Sequence, residues 1–98
     1  MYIYVDDIRS PIEKRNDLVI CRNYTEAITI IDQCIEEGRS FIIDLDHDLG
    51  EEKSGYDIAK YIVEQQYMDC SFKVHSANPV GRENIRQLVT HYGYEYIR

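Results

Sequence analysis

The sequence predicts an α/β domain, a three-layer sandwich built on one five-stranded parallel sheet with strand order 2-1-3-4-5. Three observations carry this expectation. Short apolar runs of strand length alternate with amphipathic stretches of about 10 to 15 residues, the pattern of right-handed βαβ crossovers with helices on both sheet faces. The first and third apolar runs both stop abruptly at acids, Asp6-Asp7 and Asp46-His47-Asp48, as strands do where they leave a sheet at its ligand-bearing edge. The 98 residues, 44% hydrophobic and 30% charged, suffice for one core and read as a single domain over residues 1–98, with no repeat or linker.

The elements follow in order. Met1 to Val5 is a short buried strand. Ser10-Pro11 has the form of an N-cap followed by a first-turn proline, which predicts a short helix to about Arg15. Asp17 to Cys21 is the second strand, and Ala27, Ile28, Ile31, Cys34 and Ile35 recur at helical spacing over Thr25 to Gly38, where the glycine is the stop signal. Ser40 to Leu45 is the third strand. A polar loop from Gly50 to Gly55 precedes a helix over Tyr56 to Gln66, striped by Ile58, Ala59, Ile62 and Val63. Ser71 to His75 is the fourth strand, Asn78 to Gly81 a turn, Glu83 to Tyr92 the last helix, and Tyr94 to Ile97 the fifth strand.

Composition narrows the function. A formal charge of −7 argues against general DNA binding, which needs clustered Lys and Arg. Cys21, Cys34 and Cys70 are odd in number and widely spaced, without a C-x-x-C pair, and read as reduced core thiols. Acids at positions 6 and 7 break any signal-peptide core, and no apolar run approaches the roughly 18 residues of a membrane span, so a cytoplasmic protein is expected.

In the 2-1-3-4-5 order, strands one and three are neighbours at the point where strand order reverses, so Asp6, Asp7, Asp46 and Asp48 converge on one edge. Carboxylates this close repel one another, and a divalent cation, Mg²⁺ or Mn²⁺, offsets that repulsion with the oxygen ligands it prefers. Asp44 points the same way two residues deeper. His47 and His75 fall at the same edge, where a histidine can ligate a metal or transfer protons. Ser76 and Asn78 could donate to a phosphoryl oxygen, Arg9 and Arg82 could clamp an anion, and three helix N-termini aim backbone N–H groups at the same place. Each has a plainer alternative: turn-shaping polar residues, structural histidines, surface arginines.

The segments V-D-D-x-R-x-P (Val5 to Pro11), L-D-H-D-L-G (Leu45 to Gly50), S-G-Y-D (Ser54 to Asp57) and H-S-A-N-P-x-G (His75 to Gly81) together resemble the cyclic-phosphate processing receiver domains, over nearly the whole chain. More distantly the order is similar to response-regulator receivers, a flavodoxin-like fold in which acids after strands one and three hold Mg²⁺ around an aspartate that accepts phosphate. By that comparison Asp6 and Asp7 match the first acidic pair, Asp46 the phosphoacceptor and Ser76 the hydroxyl residue, while the fifth-strand lysine has no counterpart in Tyr94 to Arg98. The resemblance implies a metal-dependent phosphoesterase acting on cyclic or terminal phosphates of nucleotides or RNA ends. Asp46, His47 and His75 would then be the catalytic candidates, with Asp6, Asp7, Asp46 and Asp48 the metal ligands. Two other readings stand beside it: a non-catalytic receiver-like module that binds phosphate, and a small acidic inhibitor, for which Glu36, Glu37, Glu51, Glu52 and Glu64 would supply dispersed charge.

Overall fold

A computed structural model describes residues 1–98. Five strands, β1 (Tyr2–Val5), β2 (Leu18–Cys21), β3 (Phe41–Leu45), β4 (Cys70–Val74) and β5 (Glu95–Ile97), pair in parallel in the order β2-β1-β3-β4-β5. Three helices, α1 (Tyr24–Glu37), α2 (Gly55–Glu64) and α3 (Pro79–His91), connect β2 to β3, β3 to β4 and β4 to β5. This is the flavodoxin/receiver-like arrangement that the sequence predicts.

The helices pack side by side, α1 on α2 and α2 on α3. All three crossovers move along the sheet in the same direction, and the right-handed rule puts them on one face. That face carries Ile3, Val5, Phe41, Ile43, Leu45 and Phe72, which pack against Ile31, Ile58, Ile62, Ile85 and Val89 in the core. The period-two alternation of the strands sends Tyr2, Tyr4, Ile42, Asp44, Ser71 and Lys73 to the other face.

That second face is covered differently from expectation. The helix expected from Ser10 to Arg15 does not form, and an irregular segment lies there instead, roofing a cleft of about 530 Å³ with Tyr2, Tyr4, Asp44 and Lys73 in its walls. Side chains from elsewhere occupy the polar groups that would cap such a helix. Arg22 donates to Ser10 Oγ at 2.9 Å and to the carbonyl of Asp6 at 3.1 Å, and the Arg15 guanidinium sits 4.5 Å from the centre of the Tyr2 ring while pairing with Asp17. One turn of helix is too short to nucleate against that competition.

The last helix starts four residues earlier than expected. Asn78 is its N-cap, accepting from the Gly81 amide at 3.0 Å, and Pro79 takes the first helical position, where its missing N–H costs nothing. The expected turn is therefore the helix's own beginning, which brings α3 close to the acidic edge. Asn23 caps α1 in the same manner, and Gly38 ends it in the left-handed conformation.

Candidate functional site

Strand register assembles the site. Val5 pairs with Leu45, and Leu45 with Val74, so the residues that follow, Asp6, Asp46 and His75, form the next row across β1, β3 and β4. Ladder hydrogen bonds continue into that row: Asp6 N–H to the Cys21 carbonyl, Asp46 N–H to Val5 and His75 N–H to Leu45. Potential ligand atoms of Asp6, Asp46 and His75 all lie within 4.8 Å of one another. Alternation places the row on the face opposite the helices, above Tyr4 and Asp44.

Asp6 is fully buried and saturated. One carboxylate oxygen accepts from the backbone amides of Ile8 and Arg9 at 2.9 and 2.8 Å, and the other accepts from Arg9 Nε and lies 3.0 Å from His75 Nε2. Burial alone would raise its pKa, but the amides of Arg9 and Ile8, with His75 and the Arg9 charge, outweigh it and hold the carboxyl down at about 2. Arg9 then reaches across to Asp46, its Nη2 3.3 Å from Oδ2. The guanidinium thus bridges the two acids and supplies the positive charge their proximity demands.

His75 lies beneath this pair. Its Nδ1 is 2.7 Å from Asp44 and its Nε2 3.0 Å from Asp6, while the ring stacks on Tyr4 at 4.4 Å with planes 5° apart. Burial pulls its pKa down, yet the hydrogen bonds and charges of Asp44 and Asp6 win and raise it. Asp44, in turn, also accepts from Tyr2 Oη at 2.6 Å. Asp44, Tyr2 and Tyr4 thus belong to the site's foundation; their signal in the sequence was the period-two spacing below Asp6 and Asp46.

The remaining candidates lie on the rim. His47 Nδ1 is 3.0 Å from Asp48, and no hydrogen bond engages its Nε2. Its ring is pressed against Gly81, where a β-carbon would collide with it, so glycine at the start of α3 makes room for the imidazole. Asp48 also accepts from Asn78 Nδ2 at 3.3 Å. Asp7 is half-buried, and its carboxylate stands 2.8 Å from where a β-carbon on Gly50 would be, a residue whose positive φ already favours glycine. Asp7 and Asp48 therefore flank the Asp6–Asp46–His75 group without joining it.

Of the expected phosphate donors, Asn78 and Arg9 are engaged, whereas Ser76 and Arg82 keep donor capacity. Ser76 is buried and accepts from the Asn78 amide, and Asn78 divides itself between capping α3 and reaching Asp48. Arg9 is committed to the two acids. Arg82 is exposed, with one contact of 3.5 Å to the Ser76 carbonyl. No helix is long and apolar enough to cross a membrane.

A family model described as the cyclic-phosphate processing receiver domain matches residues 1–91. No curated protein and no solved structure matches the chain.

Proposed function

The chain belongs to the cyclic-phosphate processing receiver domains, and from that premise we propose that it is a metal-dependent phosphoesterase acting on cyclic or terminal phosphates of nucleotides or RNA. One observation carries the proposal: Asp6 and Asp46 are drawn together in register and held by a cation, the Arg9 guanidinium, that bridges both. Carboxylate oxygens are the donors Mg²⁺ and Mn²⁺ prefer, so the donor set fits. Asp6 and Asp46 would hold the ion, with Asp7 close by. His75 would not ligate it, because both of its nitrogens already face carboxylates.

A bound divalent cation supplies electrophilic polarisation of a phosphoryl oxygen. The chain's own residues do the rest. With an ion held by Asp6 and Asp46, Arg9 would be free to bind the phosphate as a charged fork. His47 is the proton carrier: Asp48 fixes its Nδ1, leaving Nε2 to take a proton from water or give one to a leaving oxygen. His75, between Asp44 and Asp6, would orient Asp6.

Turnover of a panel of 2′,3′- and 3′,5′-cyclic nucleotides with Mg²⁺ or Mn²⁺ tests this. Asp46→Asn is expected to abolish activity and His47→Ala to reduce it by about 10²- to 10⁴-fold. An inactive wild type with every nucleotide and metal would remove the enzyme. A non-catalytic phosphate-binding module is the second reading, favoured by the Arg9 bridge, which balances the acids without any ion. It predicts phosphate binding without turnover. The dispersed-acid inhibitor keeps the exposed Glu36, Glu37, Glu51, Glu52 and Glu64 on its side, but Asp6, Asp44 and Asp46 are buried together and lie outside any such surface.

A further inference from the structure

For a chain of charge −7, the cations are unevenly placed. Lys73, Arg82, Arg86 and Arg98, four of the 11 Lys and Arg, line a single cleft of about 380 Å³ between the end of β4, the start of α3 and β5. Two carboxylates adjoin them: Glu83, which forms a two-pronged pair with Arg86 and is held ionised by it, and Asp44, which lies beside Lys73 on the neighbouring strand. Lys73 and Arg98 make no ion pair or side-chain hydrogen bond, and Arg82 makes only its long contact to the Ser76 carbonyl.

The cleft adjoins the acidic edge. Lys73 lies two residues before His75 on the same strand and, by alternation, on the same face. Arg82 touches the residue that follows His75. Side chains of a net-negative protein that gather into a positive recess set a local potential opposite in sign to the whole, and such a recess selects anions. In the phosphate reading one phosphate sits at the Asp6–Arg9–Asp46 edge, which leaves the cleft open to another.

We propose that this cleft is a subsite for a second phosphate of the same substrate. Resting on the phosphate reading above, it narrows the substrate class to molecules with two phosphates: one at the acidic edge, the next across Arg82 towards Lys73 and Arg98. Two sources share that chemistry, the backbone of a short RNA end and a nucleoside bisphosphate.

Binding in Mg²⁺ is measured for adenosine 3′-monophosphate, adenosine 3′,5′-bisphosphate and a diadenylate carrying a terminal 3′-phosphate, each at several salt concentrations. The two ligands with a second phosphate are expected to bind about tenfold tighter than the monophosphate. Their log-log salt dependence should be steeper by roughly 0.7 for each added contact. Lys73→Gln combined with Arg98→Gln, both outside the acidic edge, should remove most of that advantage while leaving monophosphate binding unchanged. Tighter binding of the diadenylate than of the bisphosphate assigns the subsite to an RNA backbone, and the reverse order to a nucleotide. Equal affinities and salt slopes for all three, or full retention of the advantage by the double variant, overturn the subsite and leave the phosphate reading intact. Failure of all three ligands to bind removes both.

Discussion

Two groups of polar residues share the edge above the sheet, and they are organised in opposite ways. The inner group, Asp6, Arg9, Asp46, His75 and Asp44, is a closed network: both nitrogens of His75 face acids, and both oxygens of Asp6 are taken. The outer group, His47, Asp48 and Asn78, is open, with one imidazole nitrogen unengaged and Asp48 largely exposed. Polar groups packed away from water cost stability unless paired, so the inner set must satisfy itself, whereas water serves the outer one. The inner network is fixed by its own pairs, whereas on the rim the Nε2 of His47 has no hydrogen-bond partner.

The largest expected effect breaks the inner network at its centre. Asp6→Ala would leave the half-buried His75 and the Arg9 guanidinium without their shared carboxylate. About 3 kcal/mol of stability should be lost, read from the urea midpoint at pH 7. A loss under about 1 kcal/mol would mean the network relaxes as readily as a surface.

Next is Asp44→Asn, which keeps the shape but removes one charge beneath His75, at an expected cost of about 1–2 kcal/mol. Its pH profile sharpens the point. The pKa of Asp6 is depressed from 3.8 to about 2, so its contribution is present above pH 4 and is lost as pH falls from there towards 2. His75 is raised above 6.5, so its contribution is complete below that value and fades as pH rises through the raised one. Wild-type stability should therefore fall on both sides of this window, and Asp44→Asn should flatten the alkaline limb and shrink the acid one, since against the pull of burial His75 and Tyr2 hold the Asp44 carboxyl below its ordinary value, while the Asp6 part of the acid limb stays. An unchanged alkaline limb would show that Asp44 does not hold the charge on His75.

The smallest effects on stability belong to the rim. His47→Ala should change stability by less than about 0.5 kcal/mol while reducing turnover. Gly81→Ala should displace the His47 ring, seen as a shift of its imidazole resonances and a drop in turnover with phosphate affinity kept. Equal losses of phosphate affinity and turnover would place His47 in binding rather than proton transfer.

The same division explains what could be read from the chain. Strand order, the acids at the ends of β1 and β3, and the position of His75 follow from local periodicity and the crossover rule, because each is set by neighbours in sequence. The grouping within the edge was not legible. Asp7 and Asp48 look equivalent to Asp6 and Asp46 as letters, and only strand register makes Asp6, Asp46 and His75 one row. Arg9 reads as a free anion clamp until the fold brings Asp46, 37 residues away, within reach of its guanidinium. The missing helix after β1 has the same origin, since Ser10 is engaged by Arg22 from beyond β2. Contacts between distant residues override a local capping signal there, whereas at Asn78-Pro79 the expected turn is the capped first turn of α3.

In the proposed function the Asp6–Asp46 pair would exchange the Arg9 guanidinium for a divalent cation. Calorimetric titration of Mn²⁺ into the wild type and into Asp46→Asn tests it most directly. One saturable site in the wild type, lost in Asp46→Asn, is the predicted result. No binding to the wild type, or equal binding to both proteins, would contradict it.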